Sequence, residues 1–153
     1  MMKKSLLCVS LLLLANVSWA DIVITLPTHG VGDPCKTIQG SWSGRGKVRA
    51  DVIGMPIECT YHGEGYVPYI TDSGEVSMDI TLTKESGFCP DGENFATHGT
   101  CRDGRLILNV EDGSLQGHLS ADGRSANVSG YIGVDVLGQH VIATVEDMRL
   151  QKK

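Results

Sequence analysis

The amino-acid sequence predicts an all-β protein: an eight-stranded antiparallel up-and-down meander barrel, stapled by disulfides and preceded by an N-terminal arm. The first observation is the dipeptide Asp-Gly, which occurs at residues 91–92, 103–104, 112–113 and 122–123 and favours tight hairpin turns. The second is the alternation of apolar and polar residues between these pairs, which is typical of half-buried strands. The third is the lack of a helical apolar period, so essentially no helix is expected in the mature chain.

Turn signals divide the chain after residue 38 into eight strands. We expect these strands at residues 39–52, 57–69, 75–84, 95–102, 105–111, 114–120, 124–136 and 139–150. Gly54-Met55-Pro56 and Asp72-Ser73-Gly74 supply the first two turns, because Gly and Pro favour the backbone angles of turns. A longer loop over residues 85–94 follows the third strand. Asp-Gly pairs then provide three turns, and Leu137-Gly138 joins the last two strands.

Each strand has one apolar face, which indicates the side chains that point inward. In the first strand Trp42 and Val48 share a face, and Arg45 and Lys47 fall on the opposite one. The inward positions of later strands are Val76, Met78, Ile80 and Leu82; Ala126, Val128, Gly130, Ile132, Val134 and Val136; and Val141, Ala143 and Val145. One apolar face over hairpin-linked strands favours barrel closure, which also removes exposed edges. A two-sheet sandwich is the alternative, but it usually needs long crossovers, and only residues 85–94 offer one.

The first twenty residues are typical of a bacterial export signal. Lys3 and Lys4 precede an apolar run over residues 6–15, which is too short to span a membrane, and Ser18-Trp19-Ala20 fits a cleavage site before Asp21. We therefore expect a signal peptide at residues 1–20, an N-terminal arm at 21–38 and one barrel domain at 39–153. The mature protein is expected in the periplasm or outside the cell, without a membrane span, and Cys8 is expected to leave with the signal.

Four cysteines remain in the mature chain, at Cys35, Cys59, Cys89 and Cys101. An even number in an exported chain indicates disulfides. The strand directions favour Cys59–Cys89 and Cys35–Cys101, the second tying the arm across one barrel end. The rival pairing joins neighbours in sequence, as Cys35–Cys59 and Cys89–Cys101. A zinc site is disfavoured because the chain lacks a Cys-x-x-Cys pair.

Residues that carry chemistry are few. The inward face has almost no ionisable side chain, so we expect no catalytic residue, no metal, no cofactor and no enzymatic activity. Four histidines are expected to point outward without pairing: His62, His98, His118 and His140, with His98 opposite Asn109 and His118 near Ile107. The net charge is −5 and no basic cluster is present, which makes nucleic acid an unfavourable partner.

Several glycines fall on or near the inward face: Gly44, Gly46, Gly63, Gly65, Gly117 and Gly130. One interpretation is that they permit the sharp coiling of a small barrel. The other is that their missing side chains leave space for a ligand, since an eight-stranded barrel is just wide enough to hold one small molecule. The sequence leaves both interpretations open.

The run Gly40-Ser41-Trp42 resembles the Gly-x-Trp signature that opens the first strand of calycin-type barrels. These include lipocalins, avidins and bacterial metalloprotease inhibitors. The resemblance implies a meander barrel in which Trp42 packs across the floor or inner wall. The chain lacks the C-terminal helix of a lipocalin, so the avidin-like and inhibitor-like barrels are closer in size. It also lacks a recognisable ring of polar biotin contacts, and no ligand is carried over.

The functional prediction is an exported binding module. It would bind a protein partner, in the manner of an inhibitor, through barrel-end loops and the N-terminal arm. The alternative is a carrier of a small apolar ligand inside the barrel. We expect the binding site at the end near Cys35, with Tyr66, Val67 and Tyr69 as anchors and Trp42 beneath them.

Overall fold

The computed structural model describes residues 32–153. Three expectations lie outside the described residues: the signal peptide with Cys8, the cleavage before Asp21, and the extended start of the arm. In the described part, the chain forms one 3₁₀ turn followed by eight strands. The 3₁₀ turn is Pro34–Thr37, and the strands are β1 (Gly40–Val52), β2 (Met55–Val67), β3 (Glu75–Ser86), β4 (Gly92–Arg102), β5 (Arg105–Val110), β6 (Gly113–Leu119), β7 (Ser125–Val136) and β8 (Gln139–Lys152).

Each strand pairs antiparallel with the next one, and β8 pairs with β1 to close the barrel. The predicted fold class, strand count and meander order are therefore confirmed, and the sandwich is excluded. The expected strand limits differ from the observed ones by at most three residues. A closed barrel gives each strand two neighbours and so avoids the fully exposed edge strands of an open sheet, which is the physical reason for preferring it.

Three hairpins have tight two-residue turns, and two of them lie where the sequence predicted. Both central residues have positive φ at Ile53-Gly54, Asp103-Gly104 and Leu137-Gly138, which is the geometry of type I′ turns. The first hairpin therefore turns one residue earlier than Gly54-Met55-Pro56 predicted. Asp103-Gly104 is the one Asp-Gly pair in the described chain with positive φ at both residues. The others still lie at or beside turns, where Asp accepts backbone hydrogen bonds.

The predicted inward positions of β1, β3, β7 and β8 form the core, so the face assignment is confirmed. An irregularity in β8 adds further residues to this inward face. Asp147 has a φ of 47° and adds one residue to β8 between its pairs with β1 and β7. This bulge shifts the alternation after Val145, and Met148 and Leu150 then turn inward.

The two disulfides are Cys35–Cys101 and Cys59–Cys89, with Cα atoms 5.5 Å and 6.1 Å apart. These are the bonds that the strand directions favoured, and the sequence-local pairing does not occur. Ser86, the last residue of β3, lies opposite Thr60, one residue from Cys59, so the β3–β4 loop that carries Cys89 starts beside Cys59. Each bond links elements that a meander brings to the same barrel end.

Residues 33–38, called the plug below, close one end of the barrel. The Asp33 carboxylate accepts hydrogen bonds from the amides of Cys35 (3.0 Å) and Gly104 (3.2 Å), and the Cys35 amide is the main reason that its pKa is lowered. Pro34 starts the 3₁₀ turn, a position that suits its fixed φ. This turn departs from the expectation of no helix. Ile38 is buried, and its carbonyl accepts a 2.8 Å hydrogen bond from the Trp42 indole.

Candidate functional site

The opposite end of the barrel contains a cavity of about 630 Å³. Apolar side chains from seven strands line it: Val48, Ala50, Ile57, Leu82, Phe95, Val110, Ile132, Val134, Val136 and Ala143. These residues lie on the inward faces of their strands. Nearer the plug, the inward side chains of the barrel form the packed core. The barrel is therefore filled at the plugged end and hollow at the opposite end, which is called the mouth below.

The mouth is notched on one side because β5 and β6 are short. They have 6 and 7 residues, while the neighbouring β4 and β7 have 11 and 12. Each short strand has five residues fewer than its longer neighbour, so the barrel wall at β5 and β6 is shorter by about 17 Å along the strand direction. Accordingly, β4 pairs with β5 only from His98 to Arg102, and β7 pairs with β6 only from Ala126 to Tyr131. Within the described chain, residues 92–97 and 132–136 flank a gap, called the notch below.

The loop between β3 and β4 is held beside the mouth by contacts with β2 and β3. Cys89 is bonded to Cys59, and the Tyr61 hydroxyl donates a 2.7 Å hydrogen bond to the Pro90 carbonyl. Burial is the main cause that raises the pKa of Tyr61, so its hydroxyl stays protonated and remains a donor. The Lys84 ammonium contacts the Cys89 carbonyl and the Asp91 carboxylate, each at 2.8 Å. Its hydrogen bond lowers the pKa of Asp91.

Acidic side chains surround the notch. Glu93 comes from β4, Glu111 and Asp112 from the β5–β6 turn, and Asp135 from β7. Together they are called the acidic rim. No Lys or Arg belongs to the cavity lining among residues 32–153. The mouth therefore combines an apolar interior with a negatively charged edge.

His140 connects two members of the acidic rim. Its Nδ1 lies 2.9 Å from an oxygen of Asp135, and its Nε2 lies 3.4 Å from an oxygen of Asp112. The hydrogen bond to Asp135 is the main cause that raises the pKa of His140, since two carboxylates favour the imidazolium. Gly133 makes room for this cluster, because a Cβ there would lie 2.8 Å from both Asp112 and His140.

The four predicted anchor residues lie away from this cavity, at or near the plugged end. Trp42 and Val67 are 2% and 0% exposed, so neither is available to a partner at the surface. Tyr66 and Tyr69 are exposed. The expected convergence of turns beside Cys35 is real, since Gly104 bonds to Asp33 and Gly123 approaches Thr37. That end is nevertheless closed by the plug, and the binding role of these four residues stays a prediction.

The inward glycines answer the question that the sequence left open. A Cβ at Gly44 would lie 1.9 Å from the Arg149 carbonyl oxygen, and one at Gly46 would lie 2.8 Å from Met148. At Gly63 and Gly65 the space is taken by Leu82 and Met78 side chains. These glycines permit close packing of strands and side chains, and none of them lines the cavity.

The outward histidines behave as expected in part. His98 lies opposite Asn109, as predicted, and His118 lies opposite Arg105, two residues along β5 from Ile107. Among the described residues, no cluster of three His, Cys, Asp or Glu side chains has metal-binding geometry. His140 is expected from the sequence as a scattered surface residue. Asp135 lies directly opposite it in the β7–β8 hairpin, so the Leu137-Gly138 turn could have indicated that contact, whereas Asp112 comes from the separate β5–β6 hairpin.

No protein-family model matches the chain, and no curated protein matches its sequence. Over residues 32–153, no helix combines the length and the hydropathy that a membrane span requires. The class that the fold and the site define is a disulfide-bonded, eight-stranded antiparallel meander barrel with one plugged end and one hollow, notched end.

Proposed function

We propose that this protein binds a small apolar molecule in the cavity at its notched end. The observation that carries the proposal is the cavity itself, about 630 Å³ with apolar side chains from seven strands in its wall. Binding pockets for small molecules are typically 300–1,000 Å³ and mostly apolar, with a few polar groups for orientation. The earlier alternative of a ligand carrier is therefore favoured over the inhibitor-like function. The proposal is one of binding and not of catalysis.

The geometry of the described residues supports a preformed site. Two covalent bonds and a closed hydrogen-bonded wall hold the barrel, so little ordering entropy is lost when a ligand enters. The Tyr61–Pro90 hydrogen bond and the Cys59–Cys89 bond keep the β3–β4 loop beside the mouth. The notch provides an entry path that does not require the strands to separate.

The test is binding of Nile red, a neutral apolar fluorophore, to the mature protein. Ala50 lines the cavity and is half-buried, so Ala50→Phe fills part of the space. We expect this variant to bind at least about tenfold more weakly, a loss of about 1.4 kcal/mol. The matched control is Ala121→Phe, an exposed turn residue near the plug, which should bind like the wild type. Saturable binding that Ala50→Phe leaves unchanged would contradict the proposal.

A second candidate is a protein partner that contacts the open-end loops. Three apolar tips stand around the mouth: Phe88, Leu137 and Ile53 are 93%, 82% and 70% exposed. Large apolar side chains at exposed turns are suited to anchor a protein partner. If this function is correct, Phe88→Ser with Leu137→Ser should abolish cross-linking to a partner in a cell-envelope extract, while Ala50→Phe should leave it intact. The reverse result would favour the ligand carrier.

The proposal also includes a structural family for the barrel and a compartment for the protein. Gly40-Ser41-Trp42 and the closed eight-strand meander support a calycin-type barrel. Two disulfides fit an oxidising compartment, and the expected signal at residues 1–20 fits the periplasm or the outside of a bacterial cell. The intact mass of the exported protein tests this: it should correspond to residues 21–153 without free thiols. A mass that retains Cys8 would contradict it.

A further inference from the structure

We propose that the ligand of the cavity is an amphipathic cation, with an apolar tail inside the barrel and an amine head group at the acidic rim. This inference rests on the proposed function and specifies the chemistry of its ligand. It follows from the charges at the mouth, which the apolar wall by itself does not explain.

The acidic rim has more negative charge than its neighbours neutralise. His140 is the one base in the described lining, and it is shared between Asp112 and Asp135. Glu93 and Glu111 form no ion pair within residues 32–153. Even with a protonated His140, the lining carries three uncompensated negative charges, from four carboxylates and one imidazolium.

Bases close to the mouth are already engaged. The Lys84 ammonium is held by Asp91 and the Cys89 carbonyl. On the outer wall, Arg49 contacts Glu58 at 2.7 Å and Glu146 at 3.0 Å. Each of these bases is paired with a carboxylate outside the cavity lining, so none of them neutralises the acidic rim.

The notch places the carboxylates where a head group would lie. Glu111 and Asp112 lie in the turn that joins the short strands β5 and β6. Glu93 lies in the part of β4 that does not pair with β5. A ligand whose tail packs against Phe95 and Ile132 has its polar end at this opening. A cation there approaches several carboxylates beside low-dielectric walls, which strengthen the attraction, whereas an anion is repelled.

Three probes with the same ten-carbon tail separate the head group from the tail: decyltrimethylammonium, decyl sulfate and 1-decanol. Each is titrated against the mature protein below its micelle concentration, with displacement of Nile red as the signal. We expect the cation to bind at least about tenfold more tightly than decanol, and the sulfate to bind more weakly than decanol. Raising the salt concentration should reduce the cation preference, because exposed charges are screened.

Two double variants with the same change in charge complete the experiment. Glu93→Gln with Glu111→Gln should abolish most of the cation preference over decanol. The control, Asp72→Asn with Glu75→Gln, removes two exposed carboxylates near the plugged end and should keep the preference. Decanol binding as tight as cation binding, or a preference that survives the rim substitutions, overturns this inference alone. No saturable binding by any probe overturns the proposed function as well.

Discussion

Replacement of Trp42 tests the packing at the plugged end. Trp42 is 2% exposed and joins the core beneath the plug, where its indole donates a 2.8 Å hydrogen bond to Ile38. Truncation of a buried aromatic side chain to Ala costs about 3–5 kcal/mol. Trp42→Phe keeps most of the volume but leaves the Ile38 carbonyl without its donor, at a cost of about 1–3 kcal/mol. Either loss is large against a total stability of about 5–15 kcal/mol.

The assay is urea unfolding of the mature protein with both disulfides intact. Far-UV circular dichroism is the signal, because the substitution removes the indole fluorescence of Trp42. Tyr131→Ala, at an exposed aromatic residue of β7, is the control and should change stability by about 0.5 kcal/mol or less. A Trp42→Ala variant within about 1 kcal/mol of the wild type would refute the packing argument. Equal losses for Phe and Ala would assign the effect to the hydrogen bond.

Three further predictions concern the disulfide, the mouth and the barrel wall. Replacing Cys35 and Cys101 by Ala should cost about 4 kcal/mol in urea unfolding, because the bond spans a separation of 66 residues; a cost below about 2 kcal/mol would contradict this. His140→Gln should lower the melting temperature at about pH 5.5 and have little effect at about pH 9. The pKa of His140 is raised in the folded state, and the stability that this gives is lost as the pH rises through that pKa. An effect that does not depend on pH would exclude the ion pairs of His140 with Asp112 and Asp135. Gly44→Ala should destabilise by about 1–3 kcal/mol, because its Cβ would meet the Arg149 carbonyl, whereas an unchanged midpoint would show that β8 relaxes.

The sequence by itself determined the strands, their inward faces and the meander. Alternation with a period of two assigns a face to each side chain, and turn residues mark where strands reverse. Strand direction then placed Cys35 near Cys101 and Cys59 near Cys89. The spacing of Asp103, Asp112 and Asp122 also limits β5 and β6 to short strands, and this signal could have indicated the notch, although the site was predicted at the opposite end.

Only the tertiary structure decided which end of the barrel is filled and which is hollow. That outcome depends on contacts between residues far apart in sequence, such as Met148 packing against Gly46 and the plug docking on Gly104. The same is true of the contact between His140 and Asp112, which lie in separate hairpins, whereas Asp135 faces His140 within the β7–β8 hairpin. Local patterns assign a residue to a face, but the volume left inside a closed barrel is set by how the side chains of all eight strands share that space.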